Sequence, residues 1–387
     1  MPKFSANYLR ASSSLNLIVA SFSARAYAQA LVEAGHQVVT LDAFADADTA
    51  RIAKQAYQFR IHNFQVDVED FKHVFLTLKL SQFDGFLYGS CFDAVPELLD
   101  WVASKIQVIG NTAAVMRAAK GLDFFNRLDT LAICHPAVQT ALPTNPSRWL
   151  SKRLGGTGGL HVGYAASQSQ SPCTMQPPDY YQEKVTGIPV SMLFVANGVN
   201  TQSVGYNRQL LAPNEIWPYR YGGAVSVYHL PSVAQQAFEH AAQQLTQQLG
   251  LRGVNSLDAI LSGDKLWILE LNPRLSATLS LYPNAITAHL KSFAGELVNL
   301  PKVQCATAHY ILYADQPVEI AADFVWPDKV FDIPQPLSGE DRIKIAQDSP
   351  ICTIEVKADN ADLALAAVQK RALALQLQLG IFNEKIA

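Results

Sequence analysis

Charged side chains are scarce in this 387-residue chain, at 16% of residues, and the 30 basic ones nearly balance the 33 acidic ones for a formal net charge of −3. No basic excess draws the chain to phosphodiester backbones or anionic lipid, so neither a nucleic-acid nor a membrane partner is expected. The five cysteines, Cys91, Cys134, Cys173, Cys305 and Cys352, are odd in number, scattered, and never spaced C-x-x-C. That pattern suggests neither a disulfide framework nor a zinc cluster and fits a reducing cytoplasm. None of the nine histidines forms an H-x-H or H-x-x-x-H pair, so any metal would be held by oxygen. No apolar run approaches the roughly 18 residues of a membrane span. Lys3 and Arg10 ahead of Leu15 to Ala20 imitate a secretory leader. The apolar stretch is short, Asn16 interrupts it, and Arg25 falls where a cleavage region should be neutral, so the chain is read as cytoplasmic.

What is present is apolar residue, 49% of the chain, enough for more than one core and, at this length, for two or three domains. Leu17 to Ala20 reads as a buried strand, Ala24 to Ala34 as a helix stopped by Gly35, and Gln37 to Asp42 as a second strand. With further strands at 83–90 and 106–110 and a helix at 95–105, residues 1–111 are expected to form a small parallel sheet wrapped by helices. The first strand-to-helix turn, Ser21-Phe22-Ser23, has no glycine, which disfavours a nicotinamide-binding Rossmann reading. Thr112 can cap a helix reaching Lys120, and Asp123 can cap the next. Residues 112–300 then turn to strands, glycine turns and one helix, Ser232 to Leu249, and residues 301–387 form a small C-terminal α+β unit.

The most informative segment runs from Gly253 to Arg274 and reads as an antiparallel hairpin. With Gly263-Asp264-Lys265 as a three-residue loop, Ser262 pairs with Leu266, Asp258 faces Glu270, and Asn272 shares their side of the sheet. Opposed carboxylates need a counter-charge or a raised pKa, and a hard dication such as magnesium meets that need with oxygen ligands and nucleotide phosphates. Arg274 would present a guanidinium at the same edge. An ordinary solvated hairpin is disfavoured because charges among Leu257, Ile260, Trp267 and Leu269 are otherwise costly to place.

A second element, Lys152 followed by Gly155-Gly156-Thr157-Gly158-Gly159, is either a loop whose backbone N–H groups close over phosphates or a bare flexible hairpin. His161 follows it, as a structural residue or as a contact to phosphate or substrate. The third, Gln182-Glu183-Lys184-Val185, bends between strands. Arg220, amid Tyr219, Tyr221, Gly222 and Gly223, either holds a carboxylate or decorates a surface turn.

In this order, with Glu270-Leu271-Asn272-Pro273-Arg274 as the most specific part, these elements resemble the ATP-grasp superfamily over roughly residues 112 to 300. The resemblance implies a fold that is α/β plus α+β: a Rossmann-like N-terminal domain, then two subdomains clasping ATP, then a small C-terminal unit. It implies that Lys120 and Lys152 hold the nucleotide phosphates, that Gly155 to Gly159 fold over them, and that Asp258, Glu270 and Asn272 hold Mg2+. Glu183 and the backbone of Lys184 and Val185 would meet adenine. Where many members have a glutamate for the ribose hydroxyls, this chain has Val190. The Gly-Gly-x-Gly-Gly-x-His loop, Asp332-Ile333-Pro334 and Pro350-Ile351-Cys352-Thr353 are similar to a subgroup that includes tyramine-glutamate ligases of one-carbon cofactor biosynthesis. The function implied is an ATP-dependent carboxylate-amine ligase working through an acylphosphate, with Lys152 and Arg274 opposing the developing charge. The alternatives are a carboxylase or phosphotransferase on the same clasp, and a nucleotide-binding regulatory subunit. Small-molecule acid and amine are the partners expected, and a homodimer is a common arrangement in the family.

Overall fold

The computed structural model describes residues 14–62, 64–167, 178–301, 303–336 and 338–381, so Cys173 lies outside the described residues. The N-terminal unit is a four-stranded parallel sheet in which Asn16–Ser21 lies between Gln37–Asp42 and Gly85–Tyr88, with Gln55–Gln58 beyond Gln37–Asp42. These strands are short, and the two central ones hold apolar runs, Leu17 to Ala20 and Val38-Val39, that are buried as a sheet covered on both faces requires. The helices Arg25–Glu33 and Pro96–Ala103 stand where the apolar periodicity places them. The strand expected at 106–110 appears only as a single bridge from Val108 to Phe86, and Gln55–Gln58 was not anticipated because its polar residues show no strand pattern.

The helix Ala113–Lys120 starts where Thr112 caps it, the Thr112 hydroxyl accepting from the Val115 N–H. It carries the chain to a small antiparallel sheet of Val138–Gln139, Tyr180–Glu183, Trp149–Lys152 and Val162–Tyr164, adjacent in that order. A larger, eight-stranded sheet follows, ordered Lys265–Asn272, Arg252–Ser262, Ile188–Asn197, Thr201–Leu211, Tyr221–Val225, Ala306–Tyr313, Pro350–Ala358 and Val330–Phe331. One face packs on the helix Ser232–Leu249, whose Ala234, Phe238, Ala241 and Leu245 are buried. The boundary expected at residue 300 is crossed by this sheet, since Ala306–Tyr313 pairs with Tyr221–Val225. The last unit therefore extends the eight-stranded sheet, closed off by the helix Ala361–Gln378.

The N-terminal domain is joined to the hairpin by polar contacts of high specificity. The Asn111 side-chain amide donates to the Asn255 side chain (2.8 Å) and the Pro273 carbonyl (3.0 Å), while its oxygen accepts from the Arg252 N–H (2.8 Å). His289 accepts from the Val254 N–H at Nδ1 and therefore donates from Nε2 to the Ile109 carbonyl (2.9 Å), which defines a neutral tautomer. No helix among the described residues is long and apolar enough to cross a membrane.

Candidate active site

Asp258 faces Glu270 across the hairpin, but the route to that register differs from the one expected. The loop has two residues, Gly263 and Asp264, so Ser262 pairs with Lys265, and a bulge between Ala259 and Asp258 restores the pairing. Leu269 is the surplus residue. It shifts the pleat, so Leu266, Ile268 and Leu271 turn into the core while Trp267 and Glu270 share the opposite face. Local twist of this kind is common beside reactive sites.

Asn272 holds the two carboxylates together: its amide nitrogen donates to Asp258 (3.1 Å) and Glu270 (3.3 Å). Burial and the neighbouring Glu270 push the Asp258 carboxyl up to about 8. Burial also opposes charge on Glu270, but Lys120 and its other cationic neighbours outweigh it and hold this carboxyl below its usual range. Near neutral pH the pair thus shares one proton, as expected for like charges in contact.

Lys120, at the last turn of its helix, brings its ammonium to Asn272 Oδ1 (2.6 Å), Glu270 (3.3 Å) and Asp93 (3.6 Å). Lys152 is buried on its strand, and burial lowers its pKa against the raising pull of Glu270. Arg274 is where the sequence places it, at the end of the hairpin, but its guanidinium is engaged. Nε and Nη2 clamp Asp93 (3.1 and 2.8 Å), Nη2 also reaches Asn272 Oδ1 (3.0 Å), and Nη1 donates to the Leu275 carbonyl (3.2 Å). That leaves one N–H of its five for a phosphoryl oxygen. Arg274 orients the site more than it faces a substrate.

Asp93 was not found from the sequence. It follows Gly85–Tyr88 in a short turn of 3₁₀ helix, at the carboxyl end of a parallel strand where open α/β sheets place ligand-binding groups. That position is the only signal that could have marked it. Tyr221 and His309 were missed as well: the Tyr221 hydroxyl lies 2.9 Å from His309 Nε2, and burial with the nearby Asp258 pushes the tyrosine well above its usual range.

The glycine loop is seated between domains. Gly155, with φ +66°, lies against the backbone of Asp93 and Ala94, where a Cβ would come within 2.6 Å. Gly159, with φ +72°, leaves only 1.8 Å between such a carbon and the Tyr219 carbonyl. At the loop's tip, the Thr157 carbonyl accepts from Leu160 and the Gly158 carbonyl from the Tyr221 N–H (2.9 Å). The His161 ring packs on Gly156, and burial lowers its pKa to about 4.

On the small sheet, Glu183 pairs with Arg148 (2.8 Å) and the Lys184 N–H donates to the Arg148 carbonyl. Of the two backbone amides expected to meet a base, that of Lys184 is thus engaged. Val190 is fully buried between strands and packs in the core, so that position offers no polar side chain to the site. Arg220 is buried, donates to the Ala212 carbonyl (2.8 Å), and stacks 3.9 Å over Tyr313, with Asp348 3.6 Å away. It fits neither a surface turn nor an open carboxylate site. Asp332 contacts Arg25 of the first helix (2.8 Å), and Thr353 faces Phe331 on the adjoining strand, so the two C-terminal motifs meet each other at the seam with the N-terminal domain.

These donors fit a hard cation, being two carboxylates and an amide within mutual hydrogen-bond range, with positive side chains around them to receive phosphate. The ATP-grasp domain family matches residues 118–278. No curated protein matches the chain in sequence. Among solved structures, Campylobacter jejuni biotin carboxylase superposes with a TM-score of 0.69 at 12% identity, over 94% of this chain and 92% of that one. Staphylococcus aureus N5-carboxyaminoimidazole synthetase gives 0.64 at 12%, over 92% and 97%. Rhizobium etli pyruvate carboxylase gives 0.70 at 14% over 93% of this chain, which spans 37% of that longer one. Identities this low speak to fold, and the fold agrees with the matched segment. The similarity to the ATP-grasp domain family thus rests on the match over residues 118–278 and on the shared fold.

Proposed function

We propose that this chain is an ATP-dependent ligase that joins a carboxylate to an amine. The observation that carries the proposal is the convergence of Asp258, Glu270 and Asn272 on one face of the sheet, with Lys120 at contact. In such a reaction a carboxylate oxygen attacks the γ-phosphorus of ATP, the bond to ADP breaks, and an acylphosphate forms. The amine then attacks the acyl carbon, the acyl C–O bond breaks, phosphate leaves with the bonding electrons, and the nitrogen gives up a proton to yield the amide. A free carboxylate is a poor acyl donor because its leaving oxygen is too basic, and phosphorylation removes that difficulty.

The chain's own work is placement and charge compensation. Lys152 and Lys120 oppose phosphoryl charge, the Gly155–Gly159 loop offers backbone N–H groups, and the Asp93–Arg274 clamp keeps Asn272 and the carboxylates in place. Magnesium held by Asp258, Glu270 and Asn272 would neutralise phosphate charge there. Related structures support this choice: the Staphylococcus synthetase was solved with ADP, and the biotin carboxylase domain of Hydrogenobacter thermophilus 2-oxoglutarate carboxylase with MgADP and bicarbonate. When the nucleotide binds, Lys120 would turn its ammonium from Asn272 and Glu270 to phosphate, leaving the Asn272 oxygen with its Arg274 contact alone.

The test is ADP release in the presence of hydroxylamine and a panel of carboxylic acids. An acyl hydroxamate that depends on one acid supports the ligase, and Glu270→Ala should cut its rate about 100- to 1000-fold while circular dichroism stays unchanged. Near-normal ATP consumption by that variant would refute the metal assignment. A second reading, in which the acid is bicarbonate, is favoured by the likeness to biotin carboxylases. Bicarbonate-dependent ADP formation with no hydroxamate selects it. Tight ATP binding with no turnover on any acid would instead indicate a regulatory nucleotide-binding subunit.

A further inference from the structure

Ser191 is fully buried in the strand Ile188–Asn197, directly opposite Asp258 on one neighbouring strand and Asn207 on the other. Val190 and Met192, on either side of it, pack into the core with the helix Ser232–Leu249, as do Leu257 and Ala259 on either side of Asp258. Successive side chains on a strand alternate between faces, so Ser191 and Asp258 share the face that carries the acidic pair. Residues directly opposed in this way hold their Cβ atoms about 4.5–5.5 Å apart. The same face meets the N-terminal domain, where Leu193 and Val195 pack with Leu17 and Val19.

A hydroxyl and an amide at positions where apolar side chains could fill the sheet are costly unless their hydrogen bonds are made. Here they belong to a row that crosses neighbouring strands. Gly205 lets the Tyr282 ring lie against its strand, since a Cβ there would run into that ring. So seated, the Tyr282 hydroxyl accepts from the Val227 N–H (3.4 Å) and donates to Asn207 Oδ1 (2.8 Å), a shorter contact than the 3.3 Å to the Tyr206 carbonyl. The Asn207 amide nitrogen in turn donates to Ser191 Oγ (3.3 Å). Each donor in the row points on toward the acidic pair. The row stops at Ser191, whose oxygen accepts from Asn207 while no acceptor among the described residues takes its own hydrogen. A buried donor left in this state calls for an explanation. Asp258 stands opposite it, with Asn272 donating to Oδ2 (3.1 Å) and Oδ1 left for another donor.

We propose that the Ser191 hydroxyl donates its hydrogen to the Asp258 carboxylate when a dication occupies the acidic pair, which makes Ser191 a positioning residue for the metal. The inference rests on the magnesium reading of that pair and adds to it a residue from a third strand. A carboxylate that turns freely must be ordered by the cation it binds, whereas one already fixed by a neighbour loses less freedom on binding. Hydrogen-bond partners that orient metal-binding side chains matter accordingly, and their loss weakens metal affinity by about 10- to 100-fold. Tyr282 and Asn207 hold the serine in place for this task, so the strength of the site depends on a row of side chains that never touches the cation.

The experiment is titration of Mn2+ into the full-length protein, Ser191→Ala and Ser191→Thr, followed by electron paramagnetic resonance with no nucleotide present, together with the melting temperature of each metal-free protein. Ser191→Ala should bind Mn2+ about tenfold more weakly, and Ser191→Thr, which keeps the hydroxyl, should bind it like the parent. A hydroxyl that served only as an acceptor for Asn207 would change the melting temperature and leave Mn2+ affinity alone. Equal Mn2+ affinity of parent and Ser191→Ala would therefore overturn the inference, as would a Ser191→Thr protein that melts like the parent yet binds as weakly as Ser191→Ala. Should Ser191→Ala lose its native state, Ser191→Cys, similar in size and a weaker donor, is read in its place, and if neither folds the hydroxyl is structural and the inference fails. A parent protein that binds no Mn2+ refutes the metal reading itself, an outcome distinct from equal binding by parent and variant.

Discussion

Asp93 has a side chain fully shielded from water and two cations within 4 Å, Arg274 at 2.8 Å and Lys120 at 3.6 Å. Such a group is worth little when replaced together with its partners and a great deal when removed alone, because the remaining charges stay buried. Asp93→Ala should therefore lower stability by about 3–5 kcal/mol, read as a shift of the urea midpoint at constant slope. Adding Arg274→Met should recover much of that loss. A single variant within about 1 kcal/mol of the parent would contradict the clamp. Lys120 lends itself to a different measurement. Its ammonium neutralises the carboxylate pair, so Lys120→Met should bind Mn2+ more tightly in the absence of nucleotide, on the order of tenfold, by electron paramagnetic resonance. Unchanged Mn2+ affinity would mean that Lys120 does not compete for those oxygens.

At the scale of elements, the glycine loop owes its seat to the absence of side chains. Gly159→Ala places a carbon 1.8 Å from the Tyr219 carbonyl at φ +72°, so the loop must lift from that contact. We expect roughly tenfold weaker ATP binding, with the melting temperature lowered by no more than a few degrees, about what a local change at a chain turn produces. Intact ATP affinity would show that the loop does not close over phosphate. The acidic hairpin shows both what the sequence makes legible and what it hides. Asp258 and Glu270 were found as a facing pair because polar residues amid Leu257, Ile260 and Leu269 stand out, while the loop length was misjudged by one residue. The bulge cancelled that error, and the spacing of Leu266, Ile268 and Leu271 is the trace it leaves in the chain. The Thr112 cap and the long helix Ser232–Leu249 were readable for local reasons, capping and periodicity. Asp93, the engagement of Arg274 and the Tyr221–His309 contact were not, since each depends on chain segments about 90 to 180 residues apart, a separation local pattern does not encode.

For the whole molecule, acid sensitivity follows from buried histidines, His289 and His309 beside His161. His289 and His309 are each held near pKa 4 by burial, against 6.5 in an open chain. Above pH 6.5 neither state binds these protons, and the stability they contribute is fully present. As pH falls from 6.5 to 4, the unfolded chain takes up protons that the fold refuses, so stability drops, by about 3 kcal/mol per site at the low end. Melting temperatures measured across that window should fall for the parent and fall less steeply for His289→Gln. Identical slopes would mean that this histidine is protonated within the fold.

The continuous eight-stranded sheet makes residues 301–387 structurally indispensable to the strands that precede them. Ending the polypeptide near residue 300 would strip Tyr221–Val225 of the neighbour it has in Ala306–Tyr313, turning an interior ribbon into a raw margin of unpaired amides and carbonyls. Margins of that sort recruit one another. Such a shortened protein should leave solution as polymers, seen by light scattering, instead of surviving as a compact nucleotide binder.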